Sequence, residues 1–258
     1  MIISRSNEKV KELKKLKADK KFAFLDNPKL INEAVSAGFE LKYLLVNGES
    51  KPLELQHINK DCEVIELHNS IFEIFADTCN SQGVIGVIKN SNKKLAKPKS
   101  NFLILDTLQD PGNVGTLLRT ALGANFLDVY LLDCVNLTND KLIRSSMGAA
   151  FKLNVYECSK SEFIEFSKGF LKDFDIYTTE MHGENIFDIV PSKQFGIVLG
   201  NEGNGVSKEM FDLATKSISI PMANGLESLN VGVAGAIAMY QLNKKNIQIW
   251  CNHFTKYI

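Results

Sequence analysis

The chain carries, from residue 102 to residue 121, the segment Phe102-Leu-Ile-Leu-Asp106-Thr-Leu-Gln-Asp110-Pro-Gly-Asn113-Val-Gly-Thr-Leu-Leu-Arg119-Thr-Ala121. Its first residues form a short apolar run that is typical of a buried strand, and this run ends at an aspartate. A polar turn follows, and a helix is predicted over residues 113–122, with Asn113 as its N-cap and Gly123 as its stop. A strand that leads directly into a helix is the repeating unit of an α/β fold.

The same alternation continues on both sides of this segment. Further strands are predicted over 127–132, 153–157, 174–179, 195–199 and 217–220, with helices over 140–150 and about 229–243. Such alternation predicts a parallel sheet covered on both faces. Upstream, a helix near 6–20, a helix over 28–37 that stops at Gly38, and strands over 41–46 and 84–88 predict a second, smaller α/β domain.

The polar, lysine-rich stretch before residue 102 is typical of a linker. We therefore predict a first domain over residues 1–90, a linker over 91–101 and a second domain over 102–258. A length of 258 residues with 45% hydrophobic content fits two modest domains. The chain has no run of 18 apolar residues and no apolar stretch at its start, so neither a membrane span nor a signal peptide is expected.

The cysteines and the charges narrow the function classes. The five cysteines, at positions 62, 79, 134, 158 and 251, lack metal-ligand spacing, so we expect no metal and a cytoplasmic protein with reduced thiols. The net charge is zero, yet lysines cluster in residues 1–21 and 89–99. These clusters suit an RNA phosphate backbone, although charge alone favours a solvated helix face and a soluble linker. Only three basic residues are arginines, at positions 5, 119 and 144, which draws attention to Arg119.

Two further blocks place glycine-rich or polar loops after predicted strands. They are Ile197-Val-Leu199-Gly200-Asn201-Glu202-Gly203-Asn204-Gly205-Val206 and Ile220-Pro-Met222-Ala-Asn-Gly225-Leu-Glu227-Ser-Leu229-Asn230-Val231. A dinucleotide-binding fingerprint is an alternative interpretation of the block at 197–206, but Lys208 stands where the third glycine of that fingerprint is required. Two such loops instead suit a flat ligand whose edge is read by backbone groups.

Taken together and in this order, the three blocks resemble the motifs of the SpoU/TrmH family of RNA ribose 2′-O-methyltransferases, in the SPOUT superfamily. The resemblance implies S-adenosylmethionine as cofactor, a trefoil knot in the C-terminal parallel-sheet domain and a homodimer. An apolar face of the last helix, formed by Val231, Val233, Ala234, Ile237 and Ala238, is the expected dimer contact. Residues 1–90 resemble the family's ribosomal-protein-like RNA substrate-binding domain, although Asp26-Asn27-Pro28 replaces its usual Glu-Gly.

The resemblance also implies site residues. The cofactor contacts would come, mostly through backbone atoms, from Thr179, Leu199, Gly200, Asn201, Glu202, Gly203, Ile220, Met222, Leu229 and Asn230. The catalytic candidates are Asn113, Arg119 and Glu202. One departure stands in the third motif, where the family usually has Ser and this chain has Gly232.

Each catalytic candidate has a simpler explanation: Asn113 as an ordinary helix cap, Glu202 as a loop carboxylate and Arg119 as a surface cation. The predicted activity is methyl transfer to a ribose 2′-OH of ribosomal RNA. Transfer RNA is the alternative substrate, and an inactive RNA-binding protein of the same fold is the alternative class.

Overall fold

The computed structural model describes residues 1–50, 62–76, 81–90 and 93–247. Their contacts divide them into two units. The first unit holds the described residues up to 90 together with residues 136–152, and the second holds residues 93–135 and 153–247.

The helices and strands are numbered in chain order. The helices are α1 (Glu8–Ala18), α2 (Pro28–Ser36), α3 (Asn69–Phe72), α4 (Pro111–Gly123), α5 (Asp140–Ser146), α6 (Ala149–Lys152), α7 (Lys160–Ser167), α8 (Lys208–Phe211) and α9 (Val231–Leu242). The strands are β1 (Phe22–Leu25), β2 (Glu40–Asn47), β3 (Glu63–Leu67), β4 (Val84–Lys89), β5 (Phe102–Asp106), β6 (Asp128–Leu132), β7 (Asn154–Cys158), β8 (Asp175–Asn185), β9 (Phe195–Leu199) and β10 (Lys216–Ser219).

The first unit is built on a four-stranded mixed sheet in the order β1-β4-β2-β3. Strand β4 runs antiparallel to β1 and β2, and β2 runs parallel to β3. Helix α1 buries Val10 and Leu13 against one side of this sheet, while Ile31 of α2 joins a second cluster that also contains Ile143 and Phe151. The segment 136–152 is therefore part of the hydrophobic core of the first unit.

The second unit contains six parallel strands in the order β10-β8-β9-β5-β6-β7. Every residue of β5, β6 and β9 is buried, as expected for central strands of a parallel sheet with both faces covered. This confirms the mixed α/β fold with a parallel-sheet C-terminal domain. The domain boundaries stay a prediction, and the described part of the predicted linker is bonded into the second unit, where Tyr130 Oη donates to Ala96 C=O at 2.6 Å.

Helix α4 begins two residues before the predicted start, so the assignment of Asn113 as its N-cap is wrong. The N-cap is Asp110, whose side chain accepts the Asn113 N–H at 2.8 Å, and Pro111 occupies the first turn, where its missing N–H costs nothing. The predicted stop at Gly123 is also displaced. Gly123 is helical, and the left-handed residue beyond the helix is Asn125, with φ of 62°.

The predicted helix over residues 140–150 is two helices. Met147 and Gly148 both have positive φ, 51° and 82°, and separate α5 from α6. Residues in the left-handed region end an α-helix, because they turn the chain out of the right-handed path.

Helix α9 packs against α4 and β9 through its small residues. A Cβ on Gly235 would overlap Leu117 and Leu199, so glycine permits this close approach. Val231 and Ala238 are buried within the unit, which corrects the expectation that they form an exposed dimer face. Val233 and Tyr240, at 49% and 46% exposure, are the large apolar side chains that α9 leaves open. No helix among the described residues is long and apolar enough to cross a membrane.

Candidate active site at the carboxyl ends of the sheet

The three sequence motifs meet at one edge of the six-stranded sheet. Strands β10, β8, β9 and β5 are neighbours and parallel, so their carboxyl ends lie side by side. Asp106 ends β5 and Leu199 ends β9, while Ile220 follows β10 directly. The pairing of β8 with β10 jumps from Thr178 to Glu184, which leaves residues 179–183 as a bulge on the same edge. Ligands of open α/β sheets bind outside such carboxyl ends.

A chain of side-chain hydrogen bonds joins the three motifs. Asn113 Nδ2 donates to Glu202 Oε1 at 2.8 Å, and Asn230 Nδ2 donates to Asn113 Oδ1 at 2.9 Å. The Asn230 Oδ1 atom accepts the N–H groups of Gly232 and Val233 and so caps α9. Because this cap occupies the oxygen of Asn230, its NH₂ group is left to donate, and Asn113 must present its oxygen to Asn230 and its NH₂ to Glu202. The cap of α9 therefore determines which atom donates and which accepts in each of these hydrogen bonds.

The loop of the second motif is shaped by its own backbone. Asn201 and Gly205 exchange two backbone hydrogen bonds, at 3.0 and 2.8 Å, and the Asn201 side chain accepts the N–H groups of Gly203 and Asn204. A Cβ on Gly200 would overlap the backbone of Gly205, so a glycine is required at this crossing. These contacts fix the backbone of the loop, and the Glu202 side chain extends from it into solvent.

Asp106, at the end of β5, holds that loop through its buried carboxylate. The sequence did not single out this residue as part of the site. Its carboxylate is fully buried, accepts the Ser207 N–H at 2.8 Å and forms an ion pair with Lys160 Nζ at 3.0 Å. Next to it, the Thr107 carbonyl accepts Asn201 Nδ2 at 2.9 Å. Burial alone would raise the pKa of Asp106, but the hydrogen bonds from Ser207, Lys160 and Thr107 outweigh burial and lower the pKa.

The position of Asp106 was the available signal in the sequence, since it is the aspartate that ends the apolar run of the first motif. The distant partner Lys160 had no such signal.

The loop of the third motif offers backbone groups to a ligand. Asn224 and Gly225 both have positive φ, 57° and 71°, and Leu226 N–H bonds to Ala223 C=O, which is the geometry of a tight type I′ turn. This is the one backbone hydrogen bond within residues 221–229 in the described structure.

The side chains of Ile220, Met222 and Leu229 are half-buried beside this open backbone. Apolar walls with free amides and carbonyls are the donor set that a purine ring needs, so these residues fit the adenosine part of S-adenosylmethionine. Thr179, whose hydroxyl donates to Val198 C=O at 3.3 Å, lies on the neighbouring strand. Leu199 is fully buried, so only its backbone is available to a ligand.

Arg119 is separate from the hydrogen-bond chain. It lies on α4 six residues after Asn113, which turns it by about 120° from that residue around the helix. Its side chain is exposed and has no hydrogen bond or ion pair among the described residues. The structure therefore brings Asn113, Glu202 and Asn230 together, while Arg119, on the same helix as Asn113, is not paired with any described residue.

Gly232 leaves little space for the serine that is usual in the family. A Cβ at this position would lie 3.1 Å from Asn230 Oδ1 and 3.4 Å from Thr116 Cγ2. The glycine thus keeps the cap of α9 uncrowded.

Comparisons with known proteins identify the family of the chain. Residues 100–240 match the family model of the SpoU rRNA methylase family, and residues 7–86 match that of the MRM3-like substrate binding domain. The Bacillus subtilis 23S rRNA (guanosine(2553)-2′-O)-methyltransferase RlmP is 30% identical over 93% of this chain and 98% of its own.

Two solved structures cover nearly the whole chain. A crystal structure of an RNA 2′-O ribose methyltransferase matches with a TM-score of 0.76 and 25% identity, over 95% of this chain and 99% of the other. The SpoU methyltransferase AviRb from Streptomyces viridochromogenes, solved in complex with AdoMet, matches with a TM-score of 0.83 over 93% of this chain and 98% of its own, at 20% identity.

The parallel sheet with three motif loops at its carboxyl ends, joined through Asn113, is an α/β fold like that of these methyltransferases. The chain belongs to the SpoU rRNA methylase family. This confirms the family predicted from the motifs, together with an RNA methyltransferase activity. The individual site residues stay predictions.

Proposed function

We propose that this protein methylates a ribose 2′-hydroxyl of ribosomal RNA, with the reaction centred on the Asn113–Glu202–Asn230 chain. The observation that carries the proposal is the hydrogen-bond chain that joins all three motifs of a SpoU family member. The similarity to an enzyme named for 2′-O-methylation of 23S ribosomal RNA favours ribosomal over transfer RNA.

S-adenosylmethionine supplies the activated methyl group. The residues that would hold it are the loop of the third motif from Ile220 to Asn230, the loop from Leu199 to Gly203, and Thr179. Methyl transfer needs the nucleophilic oxygen aligned behind the methyl carbon, with competing water excluded. The rigid base of the second loop, fixed by Asp106 and Thr107, provides the placement of Glu202 that such alignment requires.

Arg119 is assigned to the RNA. A guanidinium stays protonated, so it serves poorly as a base and well as a bidentate partner for a phosphate or a developing alkoxide. The absence of an intramolecular partner among the described residues leaves its N–H groups free for that role. Glu202, an exposed carboxylate bonded to Asn113, is the candidate that can accept the proton of the 2′-hydroxyl.

The first unit is proposed to bind RNA through part of helix α1. Lys9 and Lys11 are already neutralised by ion pairs with Glu12, Glu63 and Glu8. Lys14 and Lys15 are exposed and have no ion pair with described residues, so they remain for phosphates.

Three further expectations belong with this proposal. The homodimer is supported by the exposed Val233 and Tyr240 of α9, which a second copy would cover. The trefoil knot rests on the family assignment, and a cytoplasmic location rests on the proposed ribosomal substrate.

The proposed substrate is tested with labelled S-adenosylmethionine and separately purified ribosomal and transfer RNA. We expect label in ribosomal RNA, and in 2′-O-methylated nucleosides after digestion. Label confined to transfer RNA would move the substrate to the alternative, and label in neither RNA, with cofactor bound, would favour an inactive RNA-binding protein.

A further inference from the structure

Asparagine followed by glycine occurs three times in the chain, at Asn47–Gly48, Asn204–Gly205 and Asn224–Gly225. This dipeptide has a chemistry of its own, because the glycine amide nitrogen can attack the side-chain amide carbon of the asparagine before it. Glycine has no Cβ, so nothing on that residue obstructs the attack. In a folded protein the reaction depends on how firmly the glycine N–H and the asparagine side chain are held.

The pair in the first unit is held at both of its reacting groups. Gly48 N–H donates to Leu67 C=O at 2.9 Å. The Asn47 side chain is buried, donates to Asn69 Oδ1 at 2.8 Å and accepts the Glu49 N–H at 3.0 Å. The attack at Asn47 is therefore blocked in the folded protein.

The pair in the loop of the second motif is held at its glycine. Gly205 N–H donates to Asn201 C=O at 2.8 Å, and Asn201 N–H donates to Gly205 C=O at 3.0 Å. Asn204 itself is exposed. Because the Gly205 nitrogen is engaged, attack on Asn204 requires a local opening that breaks this pair of backbone hydrogen bonds.

The pair in the loop of the third motif lacks such bonds. Asn224 and Gly225 are exposed, and neither the Asn224 side chain nor the Gly225 N–H makes a hydrogen bond with the described residues. The turn that contains them is closed by the single bond from Leu226 N–H to Ala223 C=O, at 3.3 Å. Asn224 thus matches Asn204 in exposure and in the residue that follows it, and differs in the freedom of the glycine nitrogen.

We propose that Asn224 is a site of spontaneous deamidation in the folded protein, and that this reaction limits the lifetime of the loop of the third motif. The Gly225 nitrogen loses its proton and bonds to Asn224 Cγ, the Cγ–Nδ2 bond breaks, and ammonia leaves. Water then opens the five-membered succinimide ring. Opening at Cγ gives aspartate, and opening at the main-chain carbonyl gives isoaspartate, in which the backbone continues through the side chain.

Either product alters the loop. Aspartate adds a negative charge, and isoaspartate adds one methylene carbon to the main chain of a tight turn whose two central residues have φ of 57° and 71°. A longer backbone cannot keep this turn, so the neighbouring amides and carbonyls move. The effect on cofactor binding rests on the proposed function, in which this loop holds S-adenosylmethionine, whereas the deamidation itself does not.

Peptide mapping of the full-length protein by mass spectrometry tests the site. The folded protein is incubated in mildly alkaline buffer made with heavy-oxygen water, so that every residue deamidated during the incubation carries the label. Asn224 should convert about tenfold faster than Asn204 or more, because freeing the Gly205 amide breaks two backbone hydrogen bonds. Asn47 should stay unmodified, and in concentrated urea all three sites should convert at similar rates.

Two results would overturn the proposal. Equal rates at Asn224 and Asn204 in the folded protein would show that the free glycine nitrogen does not select the site. A preference for Asn224 that persists in urea would assign the difference to the neighbouring sequence and not to the structure.

The variant Asn224→Gln tests the consequence for the loop. Glutamine would have to close a six-membered ring, which forms much more slowly, so the variant should stay unmodified at this position. Calorimetry before and after incubation should show that the wild type loses cofactor-binding capacity in step with the fraction modified at Asn224, while the variant keeps its own initial capacity. Modified wild type with full capacity would refute the effect on the loop. A protein that never binds the cofactor would instead contradict the proposed function, and the rates at Asn224 and Asn204 would still decide the deamidation.

Discussion

The Asn113 side chain forms a hydrogen bond with one residue of each of the other two motifs, Glu202 and Asn230. It is therefore the side chain that connects all three motifs. The role of helix cap, which is the simpler explanation of an asparagine at this position, is excluded for Asn113 because Asp110 is the N-cap of α4. The identity of the motif residues could be predicted from the sequence, since their spacing is distinctive. Their bonding could not, because the partners of Asn113 lie 89 and 117 residues away.

The coupling between Asn113 and Glu202 is testable with a double-mutant cycle. Asn113→Ala and Glu202→Ala should each slow methyl transfer, and the double variant should be little slower than the worse single one, since each single change removes one partner of the same hydrogen bond. We expect a coupling of roughly 0.5–3 kcal/mol in the activation free energy, measured from single-turnover rates. Asn204→Ala, in the same loop, is the control and should combine additively with Asn113→Ala. Additive losses for Asn113 and Glu202 would show that they do not act as a unit.

Arg119→Lys separates a bidentate role from a merely cationic one. The variant keeps the positive charge and loses the planar fork, so we expect methyl transfer to slow by about 10²-fold or more. Cofactor affinity, measured by calorimetry, should be retained, because the cofactor loops lie on other elements. Arg5→Lys is the matched control and should turn over normally. Near-normal turnover of Arg119→Lys would make Arg119 a simple surface cation.

At the scale of elements, residues at the carboxyl end of β5 hold the loop of the second motif in place. Asp106 and Thr107 bond to both ends of the second loop, at Ser207 and at Asn201. The buried parallel strands and the long helices could be predicted, because apolar runs and helical periodicity are local signals. The split between α5 and α6 could not, because Met147 is an ordinary residue in an unusual left-handed conformation. The recruitment of residues 136–152 into the first unit also depends on contacts far apart in the chain.

Asp106→Asn should lower the free energy of unfolding by about 2 kcal/mol or more at neutral pH, because it leaves Lys160 without its buried partner. The pKa of Asp106 is lowered in the folded protein, so its stabilising contribution is complete above the usual pKa of an unfolded aspartate, about 3.9, and is lost as the pH falls through the folded pKa. The difference between wild type and variant should thus be constant down to about pH 4 and shrink below it.

Urea denaturation between pH 3 and pH 7 measures this difference. Glu165→Gln, which breaks the exposed pair with Lys168, is the control and should change stability little. A difference between wild type and Asp106→Asn that stays constant down to pH 3 would contradict the assigned ion pair.

At the scale of the whole molecule, charge and chemistry are divided between the two units. The candidate site lies in the second unit, while Lys14 and Lys15 of α1, which have no ion pair with described residues, lie in the first. The zero net charge concealed this division, and the lysine clusters alone did not distinguish a solvated helix from an RNA surface. Ion pairs narrow the candidates for RNA contact, since Lys9 and Lys11 are paired with Glu12 and Glu8.

Replacing Lys14 and Lys15 by alanine should weaken RNA binding and reduce its salt dependence, with a slope about two units shallower if both contact phosphates. Cofactor affinity should not change. The control replaces Lys11 and Lys168, which are already ion-paired with Glu8 and Glu165, and should leave the slope nearly intact. Equal slopes for both double variants would remove α1 from the RNA surface.

The central claim is that the methyl group goes to a ribose 2′-oxygen, and substitution of a single atom tests it most directly. After the modified nucleotide has been mapped, the same RNA is synthesised with hydrogen in place of that one 2′-hydroxyl and incubated with the protein and S-adenosylmethionine. Mass spectrometry of the digested RNA should show complete loss of methylation at this nucleotide, while binding of the RNA is retained. Methylation that persists on the deoxy nucleotide would place the methyl group on the base and contradict the account.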